Sequence, residues 1–365
     1  MKEYLEVLED ILDNGREKES GRANMPNTIG LSHATILMKD VFEKYPLLST
    51  KKMFWKGIVH ELLWFLRGET NIKYLVDNGV NIWNGDAYRW YLKWWDEYGK
   101  EINFPKYETQ EEFVEVIKNN KDLVGFVNDY EHKSLAGTNT NALKQYVLGD
   151  LGKVYGYQWR NQNGVDQIKD IFEDLTKNPY GRYKILDAWN KKEFPEMALP
   201  PCHLLYQFIV RPMTLGERRG MFLKQWKEKW GDASVQFSVE NMDNEGMPKY
   251  FLDVNMYQRS CDTFLGVPFN IASMSLLLMI MAKAVGMVAG EAFWIGGDTH
   301  LYKDHLPMVK EQISRIPYDL PKMNINKELN SLEDIMELTI DDFELVNYKS
   351  FDSIKAELFT GLKKK

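Results

Sequence analysis

Tyr250-Phe-Leu-Asp-Val-Asn-Met-Tyr257, followed by the apolar run Ile271-Ala-Ser-Met-Ser-Leu-Leu-Leu-Met-Ile-Met-Ala282, decides the fold class of this chain. In the first stretch Phe251, Asp253 and Asn255 alternate with Leu252, Val254 and Met256, the period-two pattern of a strand with one covered face. The second is apolar all round, so the helix expected over 271–286 belongs in a core, covering the sheet. Interrupted by Lys283, the run to Val285 is too short to span a bilayer.

Working outward, Lys184-Ile-Leu-Asp-Ala-Trp-Asn190 within 183–191 and Leu204-Leu-Tyr-Gln-Phe-Ile-Val210 within 203–211 read as further strands, and residues 28–40 as another. Leu5, Leu8, Ile11 and Leu12 recur at helical spacing over 2–14. Ile58, Val59, Leu62, Leu63 and Phe65 do the same from Lys56 to Leu66, where Gly68 ends the helix. Together these elements predict an α+β protein with a mixed or mostly antiparallel sheet covered by helices. One domain over 1–365 is expected, with insertions at about 85–147 and 212–248. The first carries Tyr88, Trp90, Tyr91, Trp94, Trp95 and Tyr98, then a helix from Thr109, whose spacing to Glu112 is that of a capping box. The second is charged, with Trp226 and Trp230 one helical turn apart. Such aromatics read as packing anchors, and both insertions as elaborations on a core.

At 365 residues, 44% hydrophobic and 27% charged, the chain has globular proportions and can bury a full core. A net charge of −7 argues against a general nucleic-acid binder, while leaving an anionic small molecule open. Two cysteines imply no disulfide framework and fit a reducing cytoplasm. The amphipathic, acidic start Met1-Lys-Glu-Tyr-Leu-Glu-Val-Leu-Glu-Asp10 has no signal-peptide core.

Several residues could carry chemistry. Cys202 follows two prolines in Ala198-Leu-Pro-Pro-Cys-His203, beside His203. It reads either as a buried structural cysteine or as a nucleophile activated by nearby positive charge. Arg259 and Ser260 could hold a phosphate, or form a surface salt bridge. Asn270, in a Pro-Phe-Asn turn, is a helix cap or an amide able to match O4 and N3–H of uracil. Glu61, on an apolar helix face, is costly to bury and is a general acid/base candidate. His300 and Tyr302 lie two apart on a strand-like stretch. His300, Asp304 and His305 lack a known metal-ligand spacing, so no metal is expected. No P-loop or dinucleotide glycine fingerprint occurs.

Collinear blocks of this sequence resemble the thymidylate synthase family. They are His60-Glu-Leu-Leu-Trp-Phe-Leu-Arg-Gly-Glu-Thr-Asn-Ile72, Ile82-Trp83, Gly152-Lys-Val-Tyr-Gly-Tyr-Gln-Trp-Arg160, Ala188-Trp-Asn190 and Met197-Ala-Leu-Pro-Pro-Cys-His203. Tyr257 to Ser273, Gly296 to His305 and Thr339-Ile-Asp-Asp-Phe343 complete the set. The resemblance implies one-carbon transfer from 5,10-methylenetetrahydrofolate, a co-substrate, to C5 of dUMP. Cys202 would attack C6, and C5 would then attack the methylene carbon. Arg259 would favour the thiolate and, with Ser260 and Arg22, hold the phosphate. Asn270 and Gln258 would face the base, and His300 and Tyr302 the deoxyribose hydroxyl. Glu61, Tyr155 and His203 would serve the catalytic steps. Ile82, Trp83, Asp262, Gly266 and Phe269 would line the folate site, Asp262 also touching substrate. The family further implies a homodimer in which Arg182 reaches the neighbouring subunit's phosphate.

Departures from the family pattern set a further expectation. The early loop reads Arg22-Ala-Asn-Met-Pro-Asn-Thr28, Tyr183 stands where a second arginine is usual, and Asp304 replaces the common asparagine. After Ser353-Ile-Lys-Ala356 the tail reads Glu-Leu-Phe-Thr-Gly-Leu-Lys-Lys-Lys365, unlike the family's short closing tail. Hydride transfer to the C5 methylene needs a closed, dry site. Loss of that closure implies a phage-like hydroxymethylase giving 5-hydroxymethyl-dUMP. The alternatives are synthesis of dTMP, or a non-catalytic nucleotide-binding scaffold, against which Cys202, Arg259, Asn270 and Glu61 argue.

Overall fold

Alternation along Tyr250–Asp262 makes that segment a central strand, and the structure is built around it. In the computed structural model, residues 1–21, 23–120, 147–231 and 238–362 are described. The chain begins with α1 (Lys2–Asn14), β1 (Arg16–Lys18), β2 (Thr28–Leu31), β3 (Ala34–Met38), α2 (Trp55–Leu66), α3 (Lys73–Asp77), α4 (Asn84–Trp94) and α5 (Gln110–Asn119). It continues through α6 (Tyr155–Asn161), α7 (Gln167–Lys177), β4 (Ile185–Asp187), β5 (His203–Pro212), α8 (Leu215–Trp230), α9 (Val239–Asn244) and β6 (Tyr250–Asp262). Next come α10 (Gly266–Ala284), β7 (Val288–Tyr302), α11 (Leu306–Ile313), β8 (Lys322–Ile325), α12 (Leu332–Met336) and β9 (Phe343–Val346).

A seven-stranded sheet runs β1-β2-β7-β6-β5-β4, with β3 also pairing along β7. Among the described strands only β6 and β7 are parallel, joined by α10 as their crossover, so the sheet is mixed and the fold is α+β. The 19-residue α10 is apolar and long enough to cross a bilayer, yet it is packed inside the core against β6 and β7. At the end of α2, Gly68 takes φ +72°, the left-handed geometry that stops a helix after its last turn.

Three sequence expectations change. The strand over 28–40 is two strands, parted at Ser32 and His33. The strand over 183–191 shortens to Ile185–Asp187, because the Asp187 carboxylate turns back to accept from the Trp189 amide at 2.7 Å. Helix α10 starts at Gly266, since Pro268 falls in its first turn, where no amide hydrogen is required. Asn270 is thus inside the helix and not in a turn before it.

The two regions read as insertions differ. Tyr88, Tyr91, Trp94, Phe104 and Phe113 from the first are buried in the main core, with the Tyr91 and Phe113 rings stacked at 5.1 Å. Thr109 Oγ1 accepts from Glu112 N at 3.1 Å, but the Glu112 carboxylate turns to Glu108 N, so half the box forms. In the second region Phe222, Met242 and Met247 make a small core of their own. Thr214 and Glu217 form a full capping box at the start of α8. Trp226 packs on Phe222, whereas Trp230, 6.0 Å from Trp226, is 55% exposed.

Candidate active site

The C-terminal ends of the parallel strands β6 and β7 open onto a cavity of about 660 Å³, a size usual for small-molecule sites. The segment before β5 brings Cys202 to it. Arg259 Nε and Nη2 donate to the carbonyls of Pro201 and Pro200, both at 2.8 Å, while Arg259 N donates to Cys202 O at 2.8 Å. Tyr155 Oη accepts from Cys202 N at 2.6 Å. Trp189 lies under the guanidinium at 5.3 Å. The prolines leave no amide hydrogens to compete, so an arginine fork and a tyrosine fix the turn that displays the thiol.

The two cysteines part company here, and neither forms a disulfide. Cys261 is fully buried with its thiol directed to Gln258 O, and burial pushes it up to about 12. Cys202 lines the cavity. Its neighbour His203 stacks on Tyr155 at 4.3 Å, bonds Tyr206 through Nδ1 at 2.8 Å, and is pushed down to about 3 by burial, hence neutral.

A relay of amides faces the thiol. Trp294 Nε1, which can only donate, reaches Gln258 Oε1 at 2.9 Å. Gln258 Nε2 is therefore turned to Asn270 Oδ1, at 3.0 Å, and to Ser260 O. Asn270 is left presenting its own Nδ2 as a donor. His300 Nδ1 meets only acceptors, the Asp298 carbonyl at 3.1 Å and carboxylate at 3.2 Å, so Nδ1 carries the proton.

Glu61 stands on the cavity wall of α2. Desolvation raises its carboxyl to about 7, against the opposing hydrogen bond from Trp83 Nε1 at 2.7 Å. Such a group exchanges protons near neutrality. Beside it Ile82, Trp83, Leu199 and Phe269 form an apolar shelf of the kind that takes a flat heteroaromatic ring.

The cavity thus gathers Glu61, Ile82, Trp83, Tyr155, Cys202, His203, Gln258, Ser260, Asp262, Gly266, Phe269, Asn270, His300 and Tyr302. Two expected residues lie elsewhere: Arg259 sits behind the Pro-Pro turn and Arg182 is exposed on the loop before β4, while Arg22 falls outside the described residues. Lys51 is buried with Nζ donating to Phe264 O at 2.5 Å, and burial lowers it to about 7. Among the described residues no three metal-binding side chains converge, and His305 Nε2 is held by Glu357 O at 2.9 Å.

Sequence reasoning missed Trp294, Arg89 and where the tail docks. Residues 356–362 run as a strap across the mouth of the cavity. Ala356, Leu358, Phe359 and Thr360 line it. Phe359 stacks on His305 at 5.0 Å and meets Tyr302 edge-on at 4.9 Å. The expectation of a site that has lost its tail is therefore corrected: the altered tail still lines the cavity.

A thiol, a side-chain amide, a titratable carboxylate and an apolar shelf around one cavity are groups that can serve covalent catalysis on a planar polar ring. The family model described as thymidylate synthase matches residues 2–360. Thymidylate synthases of Mycoplasma mobile, Malacoplasma penetrans and Mycoplasma pneumoniae are similar to this chain at 38%, 39% and 37% identity. Each alignment covers 98% of this chain and 99% of the relative. The chain belongs to the thymidylate synthase family, the folate-dependent one-carbon transferases. The expected phage-like hydroxymethylase subtype finds no support in these relatives, which match it nearly end to end and carry the synthase name.

Proposed function

We propose that this protein converts dUMP to dTMP by reductive methylation. The observation that carries the reading is the strap of residues 356–362 lying over the thiol cavity, since hydride transfer needs water kept from the reacting carbon. The synthase names of relatives aligned over 98% of the chain agree with it. Methylenetetrahydrofolate, on the apolar shelf, supplies both the one-carbon unit and the hydride.

In this reading Cys202 adds to C6 of the pyrimidine. The Asn270 Nδ2 donates to O4, where negative charge develops, held in register by Gln258 and Trp294. Glu61, titrating near 7, relays protons at O4. Tyr155 and neutral His203 brace the nucleophile turn, and Tyr155 serves the removal of the C5 proton. His300 and Tyr302 take the sugar hydroxyl, and Ser260 the phosphate. Arg259 steadies the turn and adds positive charge beside it. When hydride reaches the C5 methylene, the resulting enolate expels the Cys202 thiolate.

A homodimer in a reducing cytoplasm belongs to the same proposal. Ile209 opposes Asp253, Tyr257 opposes Leu205, and Ile295 and Leu37 follow in register, so these residues share one sheet face. Ile185, Ile209, Tyr257 and Leu37 on it are exposed in the single chain, and a second copy would cover them. Arg182, on an exposed loop, would then serve the neighbouring cavity. Incubation with dUMP and methylenetetrahydrofolate, with the nucleotide weighed by mass spectrometry, tests the reaction. The expected products are dTMP and dihydrofolate; 5-hydroxymethyl-dUMP with tetrahydrofolate would overturn it.

A further inference from the structure

We infer that Arg89 is a positioning residue that latches the strap to the nucleophile segment, coupling closure of the site to the thiol that starts the reaction. Arg89 projects from α4, in the region read as an insertion. Its Nη1 donates to Thr360 O on the strap, and its Nη2 to Ala198 O, four residues before Cys202, at 3.1 Å. Asp86, one turn earlier on α4, pairs with the guanidinium at 2.5 Å and holds it in place. One planar cation therefore joins three segments far apart in sequence, a task for which a fork of donors is suited and a lysine is not.

Gly85 gives the second, independent observation. A methyl group there would stand 2.5 Å from Thr360 Cγ2 and 3.0 Å from its Cβ, so α4 lies against the strap without room for a side chain. At the strap's other end His305 Nε2 bonds Glu357 O at 2.9 Å, and next to Thr360 Asn24 Nδ2 donates to Gly361 O at 3.1 Å. Arg89 alone of these three links the strap back to the segment that carries the thiol.

The coupling acts at the last step and rests on the reductive reading above. There the C5 methylene takes a hydride from tetrahydrofolate, which also loses a proton to become dihydrofolate, and the Cys202–C6 bond breaks to release dTMP. If the strap is loose, water adds to the same carbon instead and releases a proton. The same bond then breaks, giving 5-hydroxymethyl-dUMP with tetrahydrofolate unoxidised.

Two readouts separate the latch from the reaction. In hydrogen–deuterium exchange of the ligand-free protein, Arg89→Gln should speed exchange over 357–362 by about 10-fold or more, leaving β5 and β6 unchanged. In turnover, the variant should divert product from dTMP to 5-hydroxymethyl-dUMP and raise KM for the folate by about 10-fold, with KM for dUMP nearly constant. Gly85→Ala should do the same with Arg89 intact, and adding Thr360→Gly should restore exchange and product. Unchanged exchange in Arg89→Gln, or faster exchange with dTMP still the sole product, overturns the coupling. A wild type that makes 5-hydroxymethyl-dUMP overturns the reductive reading instead, while the exchange measurement still decides the latch.

Discussion

On the inner wall of the cavity, Cys202 sits on a turn gripped from behind by Arg259 and Tyr155, and Asn270 is aimed by Gln258 and Trp294. On the outer wall the strap rests on Arg89, His305 and Asn24, with one aromatic side chain, Phe359, turned inward. Arg259, Gln258, Trp294 and Asn270 stand on β6, β7 and α10, whereas the strap itself is backbone without regular structure. Local opening draws on the weaker of two such regions. The inner wall is thus the firmer of the two, and the outer wall the one expected to open first.

The largest effect should come from the inner wall's centre. Cys202→Ser should lower turnover at least about 10⁴-fold and abolish the covalent adduct with 5-fluoro-dUMP and the folate. A variant that still forms that adduct would move the chemistry off this wall. Next, Asn270→Asp should cut kcat/KM for dUMP by about 100-fold and improve dCMP turnover, because the donor offered to O4 is replaced by an acceptor suited to an amino group. Equal losses on both nucleotides would mean that the amide relay supports the fold and does not choose the base.

Glu61, bonded to Trp83 beside the apolar shelf, sharpens the comparison through pH. Its carboxyl titrates near 7 when folded, against an ordinary value of 4.5. Between those values the folded protein keeps a proton that the unfolded chain has lost. Stability therefore falls as pH rises through this window, by up to about 3 kcal/mol. Glu61→Gln keeps an oxygen for Trp83 Nε1 and should flatten that slope in denaturant melts taken from about pH 5 to about pH 8. A slope left intact would assign it to another group. Smallest of all, Trp230→Ala, on the separate core of α8 and α9, should shift stability by no more than about 0.5 kcal/mol and leave the product unchanged. A larger loss would tie that region to the site.

Much of the inner wall was legible because its signals are local. Period-two alternation exposed β6, and a glutamate among apolar neighbours exposed Glu61. Strand β7 was read only at its end, since Gly290, Gly296 and Gly297 interrupt its pattern. Neither cysteine announces its role locally; burial separates them, and burial is set by distant chain. The outer wall left no such trace. Arg89 lies in an aromatic-rich helix where a charged residue reads as solvated, and Leu358-Phe-Thr360 carries no pattern that says where it docks.

Because β6 and β7 run parallel, no tight turn can join them, and α10 must cross over before His300 and Tyr302 arrive beside Gln258 and Asn270. Closing such a non-local pair is slow compared with winding the helices. During refolding, helical signal should return ahead of nucleotide binding.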